Sequence, residues 1–145
     1  MRNRRLAALF CGILVLIGLT ASATPASAVV HCWGASCNGL RLADTDCQVQ
    51  AFEITGATGF SGGVAAGSAG VWYSPTCHAM WAVFIITDDG TYNAVLETQP
   101  EYGGVSRTPF TAIVYRQSGA TSTLVDSQQS VRACFGTSGW CTSWR

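Results

Sequence analysis

Lysine is absent from the chain, and charge of either sign is scarce: eight arginines and eight acids make up 11% of its 145 residues. Binding to nucleic acid or to anionic lipid needs a basic patch that neutralises phosphates, and no stretch supplies one. Without lysine there is also no phosphate-binding loop of the usual kind. Histidine occurs twice, as His31 and His78. No two cysteines have the two-residue spacing of a zinc knuckle. Beyond the first residues no apolar pattern has helical period, no internal repeat is visible, and no linker divides the chain.

The chain opens on a targeting signal. Arg2, Arg4 and Arg5 precede the apolar run Leu6–Leu19, and Ala26-Ser27-Ala28 is the small-x-small pattern that a signal peptidase reads. The run is shorter than the ~17–25 residues of a membrane-spanning helix. The expected organisation is a cleaved signal over residues 1–28 and a single secreted β domain over 29–145, with no membrane span after cleavage. A cut after Ala23 is the alternative. The remainder holds Arg41, Arg107, Arg116, Arg132 and Arg145 against all eight acids, a net charge of −3.

Cysteine is the strongest compositional signal. Cys11 lies in the signal, leaving Cys32, Cys37, Cys47, Cys77, Cys134 and Cys141. An even set in a small exported domain reads as three disulfides. Oxidising export disfavours thiolate ligands, so no metal and no cofactor is expected. Six cysteines allow 15 pairings. The favoured set is Cys32–Cys37, Cys47–Cys77 and Cys134–Cys141, two local loops and one tie between the first strand and the centre of the chain.

That centre is Val71–Ile86, VWYSPTCHAMWAVFII. Val71-Trp72-Tyr73 is β-branched and aromatic, suiting a strand. From Met80 to Ile86 both alternating faces are apolar, the mark of a strand covered on both sides. Pro75 forbids a strand through the middle and favours a turn. Before this corner, Val29–Cys47 reads as a stapled cap without regular structure. Gln48–Thr55 reads as a first strand with a possible bulge, because its apolar residues change face. Gly56–Gly70, rich in Gly, Ala and Ser, reads as a mobile loop or a short irregular strand. After the corner, Thr87–Gly90 is a turn signal. Strands follow at Thr91–Thr98, Phe110–Arg116, Thr121–Asp126 and Val131–Phe135. The expected class is all-β: a small disulfide-stapled β-sandwich or partly open β-barrel of about 6–8 short antiparallel strands.

Chemistry-bearing patterns are weak. Gly59-Phe60-Ser61-Gly62-Gly63 matches the G-x-S-x-G nucleophile elbow, which requires a strand leading in and a helix leading out; Val64-Ala65-Ala66-Gly67 is a poor helix. Both histidines read as surface residues, and oxidised cysteines leave no thiol for Cys–His catalysis. Glu53, Glu97 and Glu101 offer no preferred acid–base pair. Asp88-Asp89 shapes a turn, and Asp44-x-Asp46 is a weak calcium signal without an EF-hand loop. The chain is therefore expected to have no enzymatic activity, the less favoured alternative being a small extracellular hydrolase that uses carboxylates or Ser61. Trp33, Trp140 and Trp144 sit in stapled loops, where they either stack on a ligand or are buried as loops cover the open ends; buried rings are the rule in small cores. With Trp72 they are the candidate ligand contacts. Expected partners are a cell-wall polymer or an extracellular protein.

Cys32-Trp-Gly-Ala-Ser-Cys37-Asn-Gly39, Cys47, Tyr73-Ser-Pro-Thr-Cys77-His-Ala-Met-Trp81-Ala82, Val131-Arg-Ala-Cys134 and Cys141-Thr-Ser-Trp144 together make a recognisable set. It resembles the YjfA-like family of exported bacterial disulfide-bonded domains of unknown function, over nearly all of residues 29–145. The chain departs from that pattern at Arg41-Leu42, where Asp-Pro is usual, and at Trp72 and Val83, where arginine is frequent. The resemblance implies an extracytoplasmic disulfide-bonded domain and supplies no catalytic residues.

Overall fold

The computed structural model describes residues 28–61, 64–100, 103–115, 118–135 and 140–145. The expected signal segment up to residue 27, Gly62-Gly63 and Glu101 lie outside them. The strands are β1 (Phe52–Ser61), β2 (Val64–Ser74), β3 (Ala79–Ile86), β4 (Tyr92–Pro100), β5 (Arg107–Val114), β6 (Gly119–Thr121), β7 (Val125–Asp126), β8 (Gln129–Phe135) and β9 (Trp140–Cys141). They form two antiparallel sheets. The first runs β1-β2-β3-β6 with β7 also on β3, and the second runs β5-β4-β8-β9. The architecture is a disulfide-stapled sandwich; the sheets do not close into a barrel.

Alternation along the strands builds the core. Val71, Met80, Ala82, Phe84 and Ile86 point from the first sheet against Ala94, Leu96, Val114, Val131, Ala133 and Phe135 of the second. Phe84 meets Phe135 edge-on, ring centroids 5.5 Å apart. Each fully buried large side chain of this kind contributes about 1.5–3 kcal/mol.

β3 is central, as its two apolar faces predict. On its other face Ala79 and Trp81 enter a second cluster with Cys37, Cys47, Cys77 and Leu124, and Val83 packs against it, but Ile85 is exposed, so the expected cover on both faces stops short of the strand's end. This cluster lies under the N-terminal cap, which contains two short 3-10 turns, Gly34–Cys37 and Leu42–Asp44. The cap is bonded to the first sheet's end by Gly34 N–H to Cys77 C=O at 2.7 Å, Leu124 N–H to Leu40 C=O at 2.9 Å, and Asp126 N–H to Asn38 Oδ1 at 2.7 Å. Its covalent ties are Cys32–Cys37 and Cys47–Cys77, and the third bridge, Cys134–Cys141, joins β8 to β9. This is the favoured pairing.

Three segments depart from expectation. The first strand begins at Phe52, not Gln48: Val49 and Ala51 precede it, so the change of apolar face falls at the strand's start, and a bulge follows as the register shift between Glu53 and Thr55. The Gly/Ala/Ser-rich stretch is not a loop. Gly56 to Gly59 pair with Gly67 to Gly70, making the middle of a long β1–β2 hairpin. Strand pairing uses backbone groups alone, so residues without apolar side chains pair as long as their neighbours hold the register. Thr121–Asp126 also splits into β6 and β7, because Ser122 turns its hydroxyl to the backbone N–H of Ala82 at 2.8 Å. At Thr87–Gly90 the chain passes from one sheet to the other. Asp88 accepts from Gly90 N–H at 2.9 Å and from the Tyr92 hydroxyl at 2.6 Å.

Candidate functional site

The cap covers only one end of the first sheet's outer face. Trp81 beneath it is 2% exposed, whereas Ile85, four residues along the same face, is 49% exposed. Between them lies a groove of about 320 Å³. Its floor is the hairpin's glycine pair, Gly56 opposite Gly70. Trp72, half-buried, stands at one end, and Val83 and Ile85 lie along one side. Thr58 and Ser68, directly paired across the strands, add hydroxyls.

Glu53 is the charged residue of this groove. It pairs with Trp72 in the register, so carboxylate and indole project from the same face. The carboxylate lies over the glycine floor: a Cβ on Gly70 would stand 2.7 Å from Glu53 Oε1. Among the described residues no cation pairs with Glu53. Glu97, by contrast, accepts a 2.7 Å bond from Arg132 Nε on the outer face of the second sheet. The two glutamates thus stand on opposite faces of the sandwich and cannot flank one bond as an acid–base pair.

The four candidate tryptophans do not converge. Trp33 is 60% exposed and stacks on His78, ring centroids 4.0 Å apart. His78 meets Tyr73 edge-on, and Tyr73 meets Phe52, giving a row of four rings at the cap end. Trp140 packs against Tyr92 and Phe135 at the border of the main core, as the burial reading expects for a loop ring. Trp144 lies under the Arg132 guanidinium, 4.6 Å from its carbon. Only Trp72 lines the groove.

The other candidates have plain roles. His31 Nδ1 is 2.9 Å from Asp46, on the surface. Asp44 faces Arg41 at 3.8 Å. Ser61 ends β1 and Val64 opens β2, so G-x-S-x-G spans a strand-to-strand hairpin and not a strand-to-helix elbow. The Sγ atoms of Cys32, Cys37, Cys47 and Cys77 all lie within 4.8 Å of one another. Closed as two disulfides, they have no thiolate to offer an ion.

A family model described as a protein of unknown function (DUF2690) matches residues 35–134. The chain belongs to that family. The match runs from within the first turn of the cap to Cys134 of β8, so it takes in most of the cap, the groove and most of both sheets. It bears out an uncharacterised domain family and does not carry the YjfA-like name. Neither the search of curated proteins nor that of solved structures found a match.

Glu53 was not singled out as a ligand contact by the sequence. The signal that points to it is its register opposite Trp72, which becomes readable only once the glycine-rich stretch is recognised as a hairpin.

Proposed function

We propose that this DUF2690 domain is an exported, non-enzymatic binding module for a cell-envelope or other extracellular polymer, and that the ligand lies in the outer-face groove. The observation that carries this reading is the groove's construction: an indole wall beside a shallow floor where the Glu53 carboxylate lies over Gly56 and Gly70, with hydroxyls along it. A sugar ring stacks on an indole through its C–H face, and the low floor leaves room for an extended chain above the carboxylate. Export is supported by the basic-apolar start and by three disulfides, which persist in oxidising compartments. The likeness of the cysteine and tryptophan motifs to the YjfA-like family belongs to the same reading. Trp72 and Val83, two of the positions at which this chain departs from that pattern, both line the groove.

The non-enzymatic reading is supported by the separation of Glu53 from Glu97, and by His78 being stacked beneath Trp33. Retention of the oxidised protein on insoluble peptidoglycan, chitin and cellulose tests it. Retention on at least one polymer that Trp72→Ala abolishes is expected. No retention on any, or retention indifferent to Trp72, overturns it.

A second reading, a protein-interaction domain, is favoured by the exposed ring row. Trp33 and Phe52 are 60% and 50% exposed, and Val49 is 56% exposed. Crosslinking on the producing cell's surface, with Trp33→Ala and Phe52→Ala as controls, would reveal such a partner.

A further inference from the structure

We propose that the groove selects an amine-bearing sugar, a chain of deacetylated amino sugars such as glucosamine units, over its N-acetylated counterpart. This rests on the groove being the binding site and goes further by naming the ligand's chemistry. Glu53 is the charge that lines the groove, and among the described residues no cation neutralises it. Every other lining group is a hydroxyl, a small residue or an apolar side chain. A neutral sugar would leave that carboxylate partly desolvated without a counter-charge, which costs free energy. A protonated amine on a ring stacked at Trp72 supplies the counter-charge where Glu53 and Trp72 stand side by side in the register. The indole face also attracts a cation. An anionic polymer meets the opposite sign. Arg41 and Arg132 face carboxylates elsewhere, at 3.8 Å and 2.7 Å, and neither lines the groove.

The floor makes the contact possible. With Gly56 and Gly70 lacking side chains, the Glu53 carboxylate lies low across the sheet. A ring stacked at Trp72 would then have its amine within reach of the oxygens. Any Cβ at either glycine would lift the carboxylate away.

The test is titration calorimetry of the oxidised protein with glucosamine oligomers and with N-acetylglucosamine oligomers of equal length. The expected result is affinity for the deacetylated oligomer at least about tenfold higher, a gap that narrows in high salt as the ion pair is screened. Glu53→Gln, an isosteric change at an exposed position, should remove the gap, lowering affinity for the deacetylated oligomer and, with no carboxylate left to desolvate, raising that for the acetylated one. Equal affinity for the two oligomers, tighter binding of the acetylated one, or a gap that survives Glu53→Gln overturns the inference while leaving the groove as a sugar site. Binding of neither oligomer, together with no retention on any insoluble polymer, overturns the groove reading itself. A thermal melt of Glu53→Gln that superimposes on wild type excludes a folding defect as the cause.

Discussion

Trp72 and Trp81 face each other across β2 and β3, two indoles on one face of one sheet. Their surroundings separate them. Trp81 is sealed beneath the cap among Cys37, Cys47, Cys77 and Leu124, while Trp72 stands where the cap ends. Trp81→Ala should therefore cost ~3–5 kcal/mol, the usual loss for deleting a large buried ring. Urea denaturation measures it, and a variant within about 0.5 kcal/mol of wild type, the range of an inconsequential surface change, would show that the cap does not form a second core. Gly70→Ala should behave in the opposite way. The atoms nearest the added methyl all belong to the flexible Glu53 side chain, so stability should change by less than ~1 kcal/mol. Polymer retention should nevertheless fall, because the floor is filled and the carboxylate displaced. A variant that binds as wild type does would place the ligand elsewhere.

At the scale of elements, the cap is what turns a plain sandwich into one with a bounded groove. The Cys47–Cys77 bridge closes 30 residues of chain between the cap and the β2–β3 turn. Replacing both cysteines by serine should destabilise the domain by ~2–4 kcal/mol through the freed unfolded chain. It should also let water reach Trp81, which a red-shifted tryptophan emission at partial denaturation would report; an unchanged unfolding midpoint would mean that the hydrogen bonds alone dock the cap. The corner at β2–β3, the alternating β4 and the three bridges were legible in the sequence, because alternation, Pro75 and cysteine spacing each report directly on local geometry. The β1–β2 hairpin was not. Its middle pairs glycine with glycine and alanine with alanine, so it carries no apolar period, and its pairing is imposed by the flanking Phe52–Tyr73 and Val71–Ala82 contacts. The groove was illegible for the same reason: Glu53 and Trp72 come together only through that register.

For the whole molecule, two sheets sharing one core leave two outer faces of different character. The second sheet's face carries the Glu97–Arg132 pair capped by Trp144, a self-satisfied arrangement. The first sheet's face carries Glu53, which no cation pairs with among the described residues, a half-buried indole and two paired glycines. Binding is accordingly assigned to the first face, and Trp144→Ala should leave polymer retention unchanged while Trp72→Ala removes it. The most direct measurement is a pull-down of the oxidised protein and these two variants on insoluble peptidoglycan, chitin and cellulose, at low and high salt. Retention on at least one polymer by wild type and Trp144→Ala, persisting in part at high salt and absent for a folded Trp72→Ala, is the predicted result. Failure of the wild type to be retained on any of them, or equal retention of all three proteins, would contradict the assignment of this groove.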